Sequence, residues 1–415
     1  MRLASLGALA TALVLGMLAC NTETATVSPP PSAPASGETP PSAPVDASTP
    51  DAPAAPLRRV GAVPDSVRTG LALSSFYQRY TDVDGFAIVS SSKVADEALL
   101  EAAWVIEHLM AKRPEILAAL SKARVRFVPL APTEMQTDLP EYADLWPQSY
   151  WNKRARGLGA TEDIPLVSAG AENLLSYKGD PYVGESITIH EFSHAIHLMG
   201  LSTVDPSFDG RLEVAYAAAI KAGKWAGTYA GTNYQEYWAE GVQSWFDGNV
   251  QNNPSHNDIN TRAELRTYDP ALAALLTEVF GDDAWRYTPA SARVGTEHLA
   301  GFDRASAPTF RWPTDIVDPV DDGSIPALAV ASPATLEASG TGSTPAAIFF
   351  ANRSSARVGV EWVDYAGKRT PWFWLEPNED NVVYTFNGNV WTITDQAAAL
   401  TGVVVASSRA KVVLR

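Results

Sequence analysis

Two histidines stand four residues apart in His190-Glu191-Phe192-Ser193-His194. On a helix that spacing leaves them about 40° apart around the axis, so both imidazoles can reach one metal ion. Glu191, one position after the first histidine, is then placed to act as general base on water at that ion, with zinc the expected metal. The same two histidines also suit a surface helix with ordinary hydrogen-bond partners. The surroundings must decide. A third ligand is expected to be a carboxylate on a later element, and Glu236 is the best candidate, with Glu240 one helical turn on to support it. Asp205, Glu213 and His256 are weaker, because nothing around them repeats that pairing. A solvated acidic face is the other reading of Glu236 and Glu240. His197 is expected to support or pack rather than ligate. The three-histidine form of the motif needs glycine three residues and histidine six residues after the second ligand, and this chain has His197 and Gly200 there.

These residues need elements to hold them. Residues 186 to 199 read as a helix that stops at Gly200, with Ile189, Phe192, Ile196 and Met199 forming an apolar stripe opposite the histidines. Residues 233 to 246 read as a second helix, with Thr232 and Gln235 as its capping box and Trp238, Val242 and Trp245 as its apolar stripe. Helical periodicity also runs from Val94 to Ala123 with a break at Pro114, and Val125 to Val128 reads as a short strand. The stretch Arg156-Gly157-Leu158-Gly159-Ala160-Thr161 fits either a strand edge or a loop at the site. Beyond the Pro- and Asp-rich residues 313 to 323, β-rich runs recur at 346–351, 357–365, 381–386, 389–394, 402–406 and 411–414. The expected fold is an α+β domain over residues 57–322 followed by a small all-β sandwich over 325–415.

The block from His190 to Ala195, together with Tyr229-Ala230-Gly231-Thr232-Asn233-Tyr234-Gln235-Glu236-Tyr237-Trp238-Ala239-Glu240, resembles the catalytic core of the anthrax lethal factor-like metallopeptidases, a group that includes the Pro-Pro endopeptidases. The resemblance implies a zincin-like fold. It implies that His190, His194 and Glu236 bind one zinc ion, that Glu191 is the catalytic base, and that Tyr229 assists the transition state. One departure is Ser193, where that family commonly has glycine.

A second resemblance lies near the carboxyl end. Phe350 to Ser354, Val360 to Trp362, Asp364 to Gly367 and Tyr384 to Trp391 resemble the β domain of the von Hippel-Lindau protein, whose aromatic pocket accepts hydroxyproline in an extended peptide. Its pocket positions fall on Trp362, Trp372, Thr385, Asn389 and Trp391, with Thr385 replacing a serine and Asn389 a histidine. Asn389 and Trp391 are two apart and face one side of their strand. The resemblance implies capture of Pro- or hydroxyproline-rich chains; an ordinary tryptophan-rich sandwich core is the alternative.

Met1-Arg2, the apolar run to Leu18 and then Ala19-Cys20 resemble the signal peptide and lipobox of bacterial lipoproteins, implying lipidation at Cys20 after removal of residues 1–19. Residues 21 to 56 contain ten prolines and no aromatic residue, a composition suited to a tether rather than a core, so residues 20–56 are read as the anchored linker. Cys20 is the only cysteine, which excludes an intramolecular disulfide. Acidic residues outnumber basic ones 47 to 31, a net charge of -16, which argues against nucleic acid as a partner. The expectation is a peptidase lipid-anchored in a bacterial envelope, with the outer membrane or cell surface favoured. Its alternative is a surface lipoprotein, without peptidase activity, that binds proline-rich chains.

Overall fold

The computed structural model describes residues 58–253 and 255–415; Cys20, the signal segment and the proline-rich linker lie outside them. The first part of the chain runs α1 (Asp65–Leu71), β1 (Arg79–Val83), β2 (Phe86–Ser90), α2 (Asp96–Met110), α3 (Pro114–Lys122) and β3 (Arg126–Leu130). It continues with α4 (Gln148–Arg154), β4 (Gly157–Leu158), β5 (Leu166–Gly170) and α5 (Ala171–Leu174). The helices α6 (Ile187–Ala195), α7 (Ser202–Val204), α8 (Phe208–Lys221), α9 (Tyr234–Trp245), α10 (Arg262–Tyr268) and α11 (Pro270–Phe280) follow. The carboxyl part is β-rich: β6 (Pro345–Asn352), β7 (Val358–Val363), β8 (Arg369–Leu375), β9 (Asp380–Phe386), β10 (Val390–Thr394), β11 (Leu400–Val405) and β12 (Arg409–Leu414). The architecture is α+β with a β-rich carboxyl region.

The first sheet has the order β1-β2-β3-β5-β4 and is mixed, since β2, β3 and β5 run parallel while β1 and β4 are antiparallel to their neighbours. Asp84-Gly85 closes the β1–β2 hairpin with φ of 48° and 85°, the paired left-handed conformations of the turn that Asp-Gly favours. Pro114 breaks the long periodic stretch at the first turn of α3, where its missing N–H costs nothing.

The helix of the histidine motif differs from its sequence reading at the carboxyl end. Ser186 caps it as N-cap, its hydroxyl accepting from Ile189 N. Gly200 does not stop it: residues Ile196–Leu201 continue as a π-helical turn into α7. A Cβ at Gly200 would stand 2.6 Å from Ile116 Cγ2, so the glycine serves the close approach of α3 and not a helix end. Ile189, Phe192, Ile196 and Met199 are all buried, each apolar side chain contributing roughly 1.5–3 kcal/mol to holding this helix in the core. The second helix is also capped differently. Asn233, not Thr232, is the N-cap of α9, its Oδ1 accepting from the N–H groups of Gln235 and Glu236 at 2.9 and 3.0 Å. An amide one residue later satisfies the same orphan donors, which shifts the start by one residue.

The β-rich region consists of a four-stranded sheet, β11-β10-β7-β8, facing a three-stranded sheet, β12-β6-β9. Strand β8 is absent from the sequence reading because Pro371 interrupts its run; it lies at a sheet edge, where proline is tolerated. In β6, Ile348 and Phe350 face the cluster between the two sheets, while Phe349 and Ala351 join Tyr142, Tyr150 and Trp151 of the first region in another cluster. Burial on both faces explains the unbroken apolar run of β6. The junction is also polar: Tyr384 Oη accepts from Trp146 N at 2.9 Å and Trp151 Nε1 at 3.1 Å, and Tyr150 Oη donates to Asp380 O at 3.2 Å. Lys411 Nζ donates to the carbonyls of Pro319, Val320 and Asp322 at 2.7–3.0 Å, which fixes the connecting segment to β12.

Arg156, one residue before β4, is fully buried and ties that strand to its surroundings. Its guanidinium grips Glu172 of α5 through two nitrogens, at 2.5 and 3.1 Å, and also donates to the carbonyls of Ala131 and Glu134. Removing one member would leave the other charge buried without compensation. Glu172→Ala is therefore expected to lower folding stability by about 3–5 kcal/mol. Urea unfolding with an unshifted midpoint would show that the pair does not carry this part of the fold.

Candidate metal centre

Helices α6 and α9 cross so that their polar side chains meet. Trp238 Nε1 on α9 donates to Ser193 O on α6 at 2.9 Å, and Ser193 Oγ turns back onto Ile189 O of its own helix, away from the ligands. His190 and His194 on α6 and Glu236 in the first turn of α9 converge, each offering an atom within 4.8 Å of the others. His190 Nε2 lies 3.0 Å from Glu236 Oε2 and 3.2 Å from His194 Nε2, and His194 Nε2 lies 3.6 Å from Glu236 Oε1. Ligands about 2.0–2.1 Å from a tetrahedral ion stand roughly 3.3 Å from one another, so the residues fit a metal ion. All three are buried, as is Glu191. The solvated-face reading of Glu236 and Glu240 fails, since both are at most 1% exposed.

His190 is oriented from behind. Its Nδ1 faces Gln243 Oε1 at 2.9 Å and Glu240 Oε1 at 3.4 Å, which places the proton on Nδ1 and leaves Nε2 as the lone-pair donor. Glu240 Oε2 in turn accepts from Asn249 Nδ2 at 3.0 Å and meets His256 Nδ1 at 2.8 Å. His256 Nε2 lies 3.8 Å from Glu185, which also receives Gln243 Nε2 at 3.4 Å. The sequence reading contained Glu240 and considered His256 as a ligand; His256 instead supports Glu240. Gln243, Glu185 and Asn249 were missed. Gln243 falls one turn beyond Glu240 on α9, a signal that was present, whereas Glu185 and Asn249 come together only through the tertiary fold.

Burial shapes the electrostatics of each group. Burial raises a carboxyl pKa, yet the imidazoles of His194 and His190 hold Glu236 down at about 2. In Glu191 burial outweighs the pull of His190 and Arg154 and pushes the carboxyl up to about 8, and neither oxygen has a hydrogen-bond partner among the described residues. Burial alone would depress His256, but Glu240 outweighs it and lifts the pKa to about 9.

Strand β4 passes directly beside α6. A Cβ at Gly157 would lie 2.9 Å from Glu191 Cγ, and one at Gly159 would lie 2.9 Å from His194 Cβ. Of the stretch left open as strand edge or loop, Gly157 and Leu158 form a strand at the end of the first sheet, its outer edge unpaired by any described strand, and Gly159 follows directly after it. Tyr229, half-buried in a short 3-10 turn ahead of α9, has its ring centroid 6.0 Å from that of His190. His197 points elsewhere: its Nε2 meets Asp209 Oδ1 at 2.9 Å and its ring packs among Phe208, Tyr234 and Trp238. Of its two expected roles the structure assigns packing. Glu213 is exposed on α8, and Asp205 pairs with Arg211.

The five carboxyl-terminal candidates lie in the β-rich region. Trp362 of β7 and Trp391 of β10 are cross-strand partners, and the Trp372 ring of β8 stands 6.5 Å from the first and 5.6 Å from the second. Thr385 shares a strand face with Val383, which faces the space between the sheets, and its Oγ1 accepts from Asn389 Nδ2 at 2.9 Å. The indole nitrogens of all three tryptophans and Asn389 Oδ1 are buried without a hydrogen-bond partner in the protein. All three tryptophans also belong to the hydrophobic cluster between the two sheets.

No protein-family model matches the chain, and no curated protein matches it. No helix of the described residues is long and apolar enough to cross a membrane.

The contact between β4 and α6 makes Gly159 a sensitive position. Gly159→Ala is expected to push His194 out of line and weaken metal binding about 10–100-fold, the range seen when ligand-orienting groups are disturbed. His194→Ala should remove stoichiometric binding altogether. Isothermal titration with zinc checks both; equal affinity in Gly159→Ala and the native chain would refute the positioning role of β4.

Proposed function

We propose that the chain is a zinc-dependent peptidase with a zincin-like catalytic domain, in keeping with its sequence resemblance to the lethal factor-like metallopeptidases. The observation that carries this reading is the convergence of His190, His194 and Glu236 with a buried, unpartnered Glu191 beside them and an open strand edge running past. A set of two imidazoles and one carboxylate suits zinc. When bound, zinc supplies Lewis acidity, polarising a carbonyl and acidifying water.

The chain's own residues supply the rest. Glu191 takes the proton of the attacking water and returns it to the leaving amine, a role open to a carboxylate whose two oxygens have no hydrogen-bond partner among the described residues. Tyr229, beside His190, donates a hydrogen bond to the developing oxyanion. Gln243 and Glu240 keep His190 in the tautomer that presents Nε2. An extended substrate pairs with the free edge of β4, which brings its backbone alongside Glu191 and His194. The glycines at 157 and 159 let this segment lie close against Ile187, Glu191 and His194 of α6.

Complete burial of the ligands favours a second reading, a metal held only for structure in a surface lipoprotein that binds proline-rich chains. Glu191 weighs against it. A closed structural site gains nothing from a carboxylate buried without a partner, which costs stability. The lipobox-like Ala19-Cys20 and the proline-rich residues after it support lipid anchoring in a bacterial envelope, at the outer membrane or cell surface. The aromatic pocket, with its unpaired indole N–H groups, supports recruitment of Pro- or hydroxyproline-rich chains as substrates, and no nucleic acid is expected as a partner.

Glu191→Gln should bind zinc as the native chain does and lose hydrolysis about 100- to 10,000-fold. The measurement is mass-spectrometric cleavage of a proteome-derived peptide library, with metal content determined in parallel. Cleavage that survives both this substitution and a chelator would refute a metallopeptidase; zinc binding with no cleavage by the native chain would favour the structural reading.

A further inference from the structure

The aromatic cluster lies toward one side of the β-rich region. Strand β8 ends one sheet and β9 ends the other, and the two are joined by the short turn at 376–379. Trp372 stands on β8 and Thr385 on β9, while Tyr365, 49% exposed, packs edge-on against Trp362 at the surface. Asn389 and Trp391 are each only 2% exposed, yet Asn389 Oδ1 and Trp391 Nε1 have no partner in the protein. Three indole N–H donors beside flat aromatic walls suit a chain that offers carbonyl acceptors and few N–H groups of its own. Proline-rich sequence in the polyproline II conformation is that chain.

The protein carries such a sequence itself. Pro30-Pro31-Ser32-Ala33-Pro34 recurs ten residues later, unchanged, as Pro40-Pro41-Ser42-Ala43-Pro44. With three residues per turn, Pro31 and Pro34 fall on one face of a polyproline II helix, as do Pro41 and Pro44. Both copies lie outside the described residues, ahead of Arg58, whose guanidinium is held by Glu107 at 3.3 Å. From Arg58, extended proline-rich chain of about 3.1 Å per residue reaches roughly 40 Å at Pro44 and roughly 75 Å at Pro34. A body of this size is on the order of 50 Å across. Reach therefore does not limit contact between the repeats and any part of the surface.

We infer that the resting occupant of the aromatic pocket is the chain's own Pro-Pro-Ser-Ala-Pro repeat, which a proline-rich partner must displace. The inference rests on the reading that this pocket takes proline-rich chains. Docking one repeat shortens the free linker, drawing the body toward its anchor, and couples partner capture to release.

The test uses the chain from residue 21 onward and the same chain carrying P31A, P34A, P41A and P44A. Each is titrated by calorimetry with a synthetic peptide of residues 40–50, and with decaproline as an independent probe. The four-alanine chain is expected to bind the peptide at least ~10-fold more tightly than the native chain, because a tethered competitor acts at millimolar effective concentration. Adding Trp372→Phe to it, which keeps an aromatic ring but removes one N–H, should weaken binding about five-fold. Equal affinity in the two chains, or decaproline binding without peptide binding, would overturn self-occupancy and leave the proline reading standing. An unaffected Trp372→Phe would move the site elsewhere and overturn the inference. Binding of neither probe to the four-alanine chain would overturn both.

Discussion

Four ionisable side chains, His190, Glu191, His194 and Glu236, meet where water is almost wholly excluded, and much of the structure answers the electrostatic cost of holding them there. A buried carboxylate is tolerated only when paired or neutral. Glu236 is paired with two imidazoles, Glu240 with His256 and Asn249, and Glu191 alone of the three has no hydrogen-bond partner on either oxygen among the described residues. The pairing of Glu236 with the imidazoles requires α6 and α9 to lie in fixed register. The Trp238–Ser193 hydrogen bond and the buried apolar residues of both helices supply that register.

The same requirement reaches into the β-rich region. Strand β4 must pass close to α6, and it is held from one side by the buried Arg156–Glu172 pair. On the other side it follows α4, whose Tyr150 and Trp151 are packed and hydrogen-bonded to β6 and β9. A sheet more than 200 residues away in sequence therefore helps set the height of the strand that faces Glu191. The carboxyl region is for this reason a structural neighbour of the candidate metal centre.

Legibility followed the range of the interactions. His190, His194 and Glu236 could be read because ligand spacing on one helix, and an acidic pair on another, are local patterns; so were the helices around them and most strands of the β-rich region. Asn233 in place of Thr232 as cap, and Gly200 as a packing position instead of a stop, show the limit of local rules: neighbouring polar residues compete for one cap, and a glycine can answer a contact with Ile116 that the sequence does not display. The Asp84-Gly85 hairpin was equally local and went unread. Glu185, Asn249, Gly157 and Gly159 acquire their roles only from partners brought up by the fold, and no spacing rule announces them.

Charge balance gives the metal centre its internal logic. Glu185, Glu191, Glu236 and Glu240 gather around three imidazoles within one buried network, so neutral imidazoles and ionised carboxylates would confine four negative charges in low dielectric. His256, lifted to about 9, carries one compensating charge at neutral pH, and it sits between Glu185 and Glu240 where two of the four lie. Glu191 and Glu236 lie on the side where His190 and His194 direct their Nε2 atoms, and the buried Arg154 guanidinium acts electrostatically on both. A divalent cation at that point would add to this compensation, with the imidazoles left neutral to ligate it. Compensation is thus divided between a protonated imidazole behind the site and, in front, the Arg154 guanidinium and a group of His190, His194 and Glu236 that could hold a cation.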